Sequence, residues 1–230
     1  GREAALEAAL PLDFDAWPAG QQRYSLLLND AGGIEDDLMV TRFEAEVAIV
    51  VNAACRETDL AQLRARCPAL QFDWRNAALI ALQGPAAEGV LAALAPRSAD
   101  LTFMHAQWIK IAGATCLVSR SGYTGEDGYE ISVPVAAAEP LARALLENPA
   151  VKPVGLAARD TLRLEAGLHL YGQDMTAEST VCTAGLAWAI ARARREGAAN
   201  AGGFPGAETT LREARVGTAR RLVGLVGIEP

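Results

Sequence analysis

The stretch Gly122–Glu130 most constrains the fold, because it places three glycines between two segments of strand character. The segment before it, Ala114–Arg120, is apolar and β-branched. After it, Tyr129, Ile131 and Val133 alternate with polar residues, which is the period of a half-buried strand. A tight hairpin needs only one or two residues with positive φ angles. The sequence therefore predicts two strands joined by a shaped loop, with an ordinary long hairpin as the simpler alternative.

The charges of this loop exclude one common use of glycine-rich loops. Glu126, Asp127 and Glu130 would repel a phosphate group, so the loop is not predicted to cradle a nucleotide. The chain as a whole is also acidic, with a formal net charge of −7. Nucleic acid is therefore not expected to be a partner.

The composition is that of a globular protein, since 51% of the 230 residues are hydrophobic and 21% are charged. No apolar run approaches about 18 residues, so no membrane span is predicted. The cysteines lie far apart in the sequence, which predicts free thiols in a reducing compartment. His105 and His169 are too few and too far apart for a histidine-based metal site, and no metal is expected.

The first third of the chain predicts helices packed on a sheet. Two helices, Ala4–Leu10 and Glu57–Cys67, each end before a proline. The helices and strands follow the order α-β-β-β-α-β, which indicates an α+β fold with the helices on one face of the sheet. The predicted strands are Tyr24–Leu28, Ile34–Phe43, Val47–Asn52 and Leu70–Trp74.

The remainder again mixes strands and helices, and then changes character after Arg192, where arginine, glycine and alanine dominate as in a linker. Strands are expected at Ala78–Leu82, on both sides of the glycine-rich loop, and around Trp188 and Ile190. Helices are predicted at Pro85–Leu94, Ala137–Leu146 and Leu156–Leu168.

Short motifs along the whole chain resemble one family. Gly122–Glu130 is similar to a signature of the T-protein of the glycine cleavage system, the tetrahydrofolate-dependent aminomethyltransferase. One such run is a weak signal, but several runs in the family's order and spacing are a strong one. The further similar runs are Ala31–Leu38, Leu82–Pro85, Gly155–Asp160, Leu162–Ala166, Leu170–Asp174 and Gly203–Ala207.

The resemblance implies a division of the α+β fold. It implies a ferredoxin-like subdomain at residues 1–77 and an antiparallel-sheet folate-binding subdomain with packed helices at residues 78–191. Residues 192–230 would hold a linker and, at Arg221–Val226, the first strand of a C-terminal β-domain. T-proteins are longer at both ends, so the chain is expected to be a fragment that lacks the N-terminal segment and most of the β-domain. Open sheet edges would then permit self-association.

The resemblance also implies an activity. T-proteins transfer the methylene group of aminomethyl-dihydrolipoyl H-protein to tetrahydrofolate, release ammonia and give 5,10-methylenetetrahydrofolate. The expected cofactor is thus tetrahydrofolate, as a co-substrate, and the expected partner is lipoylated H-protein, in a bacterial cytoplasm or a mitochondrial matrix. Two alternatives are a non-catalytic folate-binding protein related to iron–sulfur cluster maintenance factors, and a detached folate domain of an amine oxidase. The Lys-Gly-Cys-Tyr-x-Gly-Gln-Glu run of the iron–sulfur factors is absent here.

Adjacent aspartates on a predicted strand provide the candidate for catalysis. Neighbouring strand residues point to opposite faces, and Asp36 shares its face with the apolar Leu38 and Val40. The alternation therefore favours Asp37 as the residue that faces a polar pocket, and the resemblance places the family's presumed base there. A plain surface carboxylate is the alternative. Asp36 is expected to accept hydrogen bonds from the backbone of the preceding turn.

Five residues are candidates for binding folate. The Glu130 carboxylate can accept two parallel N–H bonds of the kind that a pterin ring offers, although a solvated strand carboxylate is the alternative. The resemblance places a pterin-binding glutamate there, with Tyr123 nearby. It also matches Arg159 to a folate-site arginine, and Tyr24 and Asn52 to positions that line the pocket.

Other polar residues receive different predictions. Arg163 is assigned to structure, and His169 is expected to be packed or at the surface. Val181–Thr183 stands where the family has Pro-x-Glu, so a carboxylate near the site is missing. The arginines after residue 191, including Arg194 and Arg195, belong either to a solvated linker or to a surface that steers an acidic partner.

Overall fold

The structure, a computed structural model, describes residues 1–225 and 227 and confirms the α+β fold class. None of the helices in this part of the chain has the length and apolar content that a membrane span requires. The helices are α1 (Arg2–Ala9), α2 (Arg56–Arg66), α3 (Ala87–Leu94), α4 (Val135–Leu146), α5 (Leu156–Glu165) and α6 (Ala207–Val216). The strands are β1 (Gln22–Leu28), β2 (Ile34–Arg42), β3 (Val47–Val50), β4 (Ala77–Gln83), β5 (Ala106–Ile111), β6 (Ala114–Ser119) and β7 (Gly128–Pro134).

The first sheet is an antiparallel meander, β1-β2-β3, that is covered on both faces. On one face, Leu27 and Leu38 pack with residues of α1 and α2. On the other face, Leu26 packs with apolar residues from the segment 175–204. The pairing of β1 with β2 shifts near Leu28, which places Ile34 in this second core rather than beside Asp36. A polar side chain on a central strand of this sheet is therefore at least partly covered, whichever face it points to.

The second sheet has the order β4-β7-β6-β5, and helices cover only one of its faces. Tyr129, Ile131 and Val133 are buried against α3 and α4, as the alternation predicts. Glu130 lies between them on the opposite, open face, where it is partly exposed. The strand β5 was not predicted.

Two of the predicted strands are wrong. Leu70 and Phe72 do pack against the first core, but residues 70–74 form no ladder, and Arg64 donates to the Phe72 carbonyl at 3.0 Å. Residues 187–189 form a single 3-10 turn, in which the Ala189 N–H donates to the Leu186 carbonyl at 2.9 Å. In both cases the apolar residues alternate with other residues in the sequence, and this spacing alone predicted a strand where the chain is irregular.

The residues that follow Arg192 pack against the rest of the chain at least as far as Phe204, which a linker would not do. Arg194 donates to the Leu12 carbonyl at 3.0 Å and to Glu7 at 2.7 Å, and Phe204 is buried in the second core of the first sheet. The helix α6 follows. Within the predicted strand at Arg221–Val226, residues 221–225 show no strand, and Val226 lies outside the described residues. The division at residues 77 and 191 stays a prediction.

Candidate functional site

The glycine-rich loop is built around the side chain of Gln83, at the end of β4. The Gln83 amide donates to the carbonyls of Ser121, at 3.1 Å, and Tyr129, at 3.2 Å. A Cβ atom on Gly122 would lie 1.8 Å from Gln83 Oε1, and one on Gly128 would lie 2.6 Å from Gln83 Cδ. Both positions therefore need glycine because a side chain fills the loop, which confirms a shaped loop rather than a simple hairpin.

The same loop rests on α5 and presents an aromatic ring. A Cβ atom on Gly125 would lie 2.8 Å from the Ala166 Cβ, so the loop and the end of α5 are in close contact. The Tyr123 hydroxyl donates to the His169 carbonyl, and the Arg159 guanidinium stacks over the Tyr123 ring at 4.3 Å from its centroid. Tyr123 and Arg159, predicted separately, thus form one flat, positively charged surface.

Asp37 is the centre of a second group of residues. Its Oδ1 accepts a hydrogen bond from Asn52 Nδ2 at 2.7 Å, and the Tyr24 hydroxyl donates to the same carboxylate. The Tyr24 ring stacks on Trp188 with centroids 5.1 Å apart and planes 27° apart. Trp188 is 60% exposed, so it forms the outer edge of this group. It was predicted only as a strand residue, although its position in the Gly-Leu-x-Trp run was a signal for the site.

The surroundings of Asp37 favour the action of a base. Burial raises the pKa of Asp37 above its ordinary value, the hydrogen bonds from Tyr24 and Asn52 oppose that rise, and the charge of Asp36 adds to it. Burial, followed by the charge of Asp37, also raises the pKa of Tyr24, which keeps its hydroxyl as a donor. A carboxylate held by two donors, with a proton affinity above that of an exposed aspartate, has the properties of a general base.

Asp36 does not accept from the preceding turn, so that expectation is wrong. Its oxygens accept from the backbone N–H of Asn52 at 3.1 Å and from Asn52 Nδ2 at 2.8 Å. The turn donors Ala31 and Gly33 are taken by Asn29 Oδ1, at 3.0 and 2.9 Å. The physical reason is that Asp36 points to the α2 face of the sheet, whereas the turn supplies an acceptor of its own. Asn52 consequently bridges both aspartates.

Five of the six predicted residues form one connected series. Tyr123 lies close to Asp37 and Tyr24. Burial raises the pKa of Tyr123 and the charge of Asp37 adds to this rise, while the charge of Tyr123 contributes to the raised pKa of Tyr24. The series runs from Asn52 through Asp37, Tyr24 and Tyr123 to Arg159. The structure thus brings together residues from β1, β2, the glycine-rich loop and α5.

Glu130 stands apart from this series. Its Oε2 accepts from Ser121 Oγ at 2.8 Å, and Ser121 Oγ lies 2.8 Å from Ser119 Oγ. Ser121 directly precedes the glycine-rich loop, so the loop backbone is the link between Glu130 and Tyr123. No donor of residues 1–225 is bonded to Glu130 Oε1, which leaves an acceptor free on the open face of the sheet.

Comparisons with known proteins identify the family of the chain. The family described as the GCVT N-terminal domain matches residues 1–194. The chain belongs to this family. Similar relatives are the mitochondrial aminomethyltransferases of Canis lupus familiaris, 44% identical over 97% of this chain and 57% of that protein, and of Homo sapiens, 43% identical over 98% of this chain and 57% of that protein.

A solved structure is also similar to this chain. The crystal structure of glycine cleavage system aminomethyltransferase T from Bartonella henselae matches with a TM-score of 0.79 and 40% identity, over 93% of this chain and 58% of that one. A relative from a Synechococcus strain, named aminomethyltransferase, is 39% identical over 98% of this chain and 62% of that protein. The chain therefore spans somewhat more than half the length of the proteins that it matches.

Other polar residues of this GCVT N-terminal domain chain serve its structure. Arg163 is buried and donates to Asp160 at 2.8 Å, to Asp174 and to the Leu168 carbonyl at 3.2 Å, which confirms its structural assignment. His169 Nε2 donates to the Ala184 carbonyl at 2.7 Å, so the imidazole is packed, as predicted. Residues 1–225 contain no group of three or more His, Cys, Asp or Glu side chains arranged to hold a metal ion.

Proposed function

We propose that the whole protein is an aminomethyltransferase of glycine cleavage. It transfers the methylene group from aminomethyl-dihydrolipoyl H-protein to tetrahydrofolate and releases ammonia. The observation that carries this proposal is the partly buried Asp37, held by Tyr24 and Asn52 beside two aromatic surfaces, in a chain 44% identical to a protein named aminomethyltransferase. The relatives named mitochondrial support a mitochondrial matrix location in a eukaryote, and the cytoplasm in a bacterium.

The side chains present fit a folate. The stacked pair of Tyr24 and Trp188 offers an aromatic face for a flat ring. The free Oε1 of Glu130 can accept an N–H bond from a pterin, and the exposed Arg159, on the ring of Tyr123, can pair with a carboxylate. When bound, tetrahydrofolate supplies the nitrogen atoms that take up the one-carbon unit.

Asp37 contributes the proton chemistry. A protonated amine is a poor nucleophile, so a carboxylate that accepts a proton at the reacting nitrogen or orients that nitrogen favours transfer. The Tyr24 hydroxyl and the Asn52 amide fix the Asp37 oxygens in place before substrate arrives. The larger contribution comes from holding two reactants in line, which can supply several kcal/mol.

Two substrate-dependence experiments test the proposal. With the whole protein, ammonia release and methylenetetrahydrofolate formation are measured from loaded H-protein, with either tetrahydrofolate or the lipoyl carrier omitted in turn. We expect full product formation only with both present. Calorimetric binding of tetrahydrofolate without any ammonia release would instead support the alternative of a non-catalytic folate-binding protein.

A further inference from the structure

A second pair of carboxyl groups is buried directly behind Asn52 and Asp37. Asp36 on β2 is 0% exposed, and Asp59 in the first half of α2 is 1% exposed. Across the contact between α2 and the first sheet, the two carboxyl groups lie close enough for one of them, when protonated, to donate a hydrogen bond to the other. Glu57, on the same helix, is exposed and pairs with Arg56, as a helical carboxylate usually does. The burial of Asp59 is therefore particular to its position and not a property of α2.

The donors around this pair are unequally divided. Asp36 accepts two N–H groups, both from Asn52. Within residues 1–225, neither oxygen of Asp59 has a donor. Two adjacent buried carboxyl groups cannot both be charged without a large cost, so the pair retains one proton. The proton belongs on Asp59, because the N–H donors stabilise the charged form of Asp36 and a protonated Asp59 can itself donate to Asp36.

Across residues 1–225, no salt bridge reaches Asp36 or Asp59. On α1, which packs against α2, Glu3 and Glu7 are paired with Arg42 and Arg194, and β3 carries no titratable residue. Burial, followed by the hydrogen bond to Asp36 and the neighbouring charges, raises the pKa of Asp59 to about 8. The charges of Glu35 and Asp37 on β2 also face Asp59, and the charge of the pair adds to the effect of burial in raising the pKa values of Cys55, before α2, and of Tyr171, from the segment that covers the sheet. The charge of Asp36 likewise contributes to the raised pKa of Tyr24.

We propose that Asp59 is a positioning residue, whose proton holds Asp36 as the acceptor of both Asn52 N–H groups and so aims the Asn52 amide at Asp37. When Asp59 loses its proton to solvent, two adjacent buried carboxylates repel each other. Asn52 then loses its fixed acceptor, and Asp37 loses one of its two donors. The catalytic part of this inference rests on the proposed aminomethyl transfer, whereas the shared proton does not.

Profiles of kcat against pH, from pH 6 to about 9.5, test the positioning role in the whole protein. In the wild type, kcat should decline as the pH rises through about 8, because Asp59 then loses its proton. Asp59→Asn keeps an N–H donor toward Asp36 but does not titrate, so this decline should disappear. Asp59→Leu offers no donor and should lower kcat about tenfold or more at every pH, with a smaller change in the KM for tetrahydrofolate. Glu57→Gln, the same replacement of a carboxyl by an amide on the exposed side of α2, should reproduce the wild-type profile.

Urea unfolding over the same pH range tests the shared proton without any activity. Because the folded-state pKa of Asp59 is raised, its stabilisation is complete below the unfolded pKa and is lost as the pH rises through about 8. The wild type should therefore lose stability toward pH 8 more steeply than Asp59→Asn.

The two measurements separate the possible failures. Equal unfolding profiles for wild type and Asp59→Asn would overturn the shared proton. Different unfolding profiles with an unchanged kcat profile would overturn the positioning role. A wild-type protein with no transfer activity, but with the expected difference in unfolding, would contradict the proposed function and with it the catalytic half of the inference.

Discussion

The two halves of the candidate site are built in opposite ways. Around Asp37, the side chains of Tyr24 and Asn52 are bonded to it on a sheet whose two faces are both covered. Around the glycine-rich loop, Glu130 lies on an open sheet face and Arg159 is exposed on α5. Each of these two makes a single contact, to Ser121 and to Tyr123 respectively.

The difference indicates a division of labour. A partly buried carboxylate with fixed donors has a perturbed pKa and little freedom to move, which suits proton transfer. Charged groups that keep unpaired donors or acceptors on an open face can bind a ligand. Substitutions in the first half should therefore change the rate or its pH dependence, and substitutions in the second half should change affinity.

The largest effect is expected for Asp37→Asn, which removes the base but keeps the shape of the side chain. The transfer rate should fall by on the order of 10²-fold or more, with tetrahydrofolate affinity within a few-fold. Single-turnover kinetics and calorimetry on the whole protein measure the two quantities. An unchanged rate would show that Asp37 is not the base. It would also contradict the assignment of proton transfer to one half of the site and of ligand binding to the other.

Glu130→Gln should have the next largest effect, on binding. An amide oxygen cannot replace the charged acceptor, so tetrahydrofolate binding should weaken by about 1.5–3 kcal/mol. Calorimetry checks this value, and Glu126→Gln, an exposed carboxylate in the same loop, is the matched control. If both variants bind as the wild type does, Glu130 is a solvated strand carboxylate.

Arg159→Met should weaken tetrahydrofolate binding less, because Arg159 is exposed. Loss of an exposed ion pair between Arg159 and a ligand carboxylate costs about 0.2–1 kcal/mol, or at most roughly a fivefold change in Kd. Arg143→Met, an exposed arginine on α4, removes the same charge away from the site and should leave Kd unchanged. A rate effect larger than the binding effect would place Arg159 in the catalytic half instead.

The smallest effect is expected for Tyr24→Phe. This change keeps the ring against Trp188 and removes a hydrogen bond that lowers the pKa of Asp37. The pKa should therefore rise, and because the base must be deprotonated, the acid limb of kcat/KM should move to higher pH. Rates on the high-pH plateau should change little. A limb that does not move would show that the Tyr24 hydroxyl is not coupled to Asp37.

Local patterns indicated the orientation of two candidate residues, whereas the resemblance supplied Tyr24, Asn52, Tyr123 and Arg159. The period of two on β2 indicated that Asp37, and not Asp36, faces the polar side, and the same period on β7 placed Glu130 opposite a buried face. The glycines indicated a shaped loop, although only the structure shows that Gln83 fills it. Trp188 was missed as a site residue because its apolar spacing with Ile190 predicted a strand, whereas in the structure Trp188 is exposed and only Ile190 is buried.

The C-terminal arginines show the limit of composition. Arg194 and Arg195 looked like part of a basic linker or a steering surface. Arg194 instead donates to Leu12 and Glu7, and Arg195 donates to the carbonyls of Ile190 and Trp188. Their charge reversal would therefore disturb the packing of this segment on the rest of the chain and would be a poor test of steering.

By itself, the sequence determined the features that depend on neighbours in the chain. Strand alternation, the turn at Asn29–Gly33 and the ends of α1 and α2 follow from backbone geometry and the steric limits of proline and glycine. Tertiary structure alone decided which two carboxyl groups are buried side by side and that Arg194 is bonded into the structure. Asp59 meets Asp36 only when α2 docks on β2, and Glu7 meets Arg194 across 187 residues. Burial of a charged group depends on such long-range contacts, which no local pattern encodes.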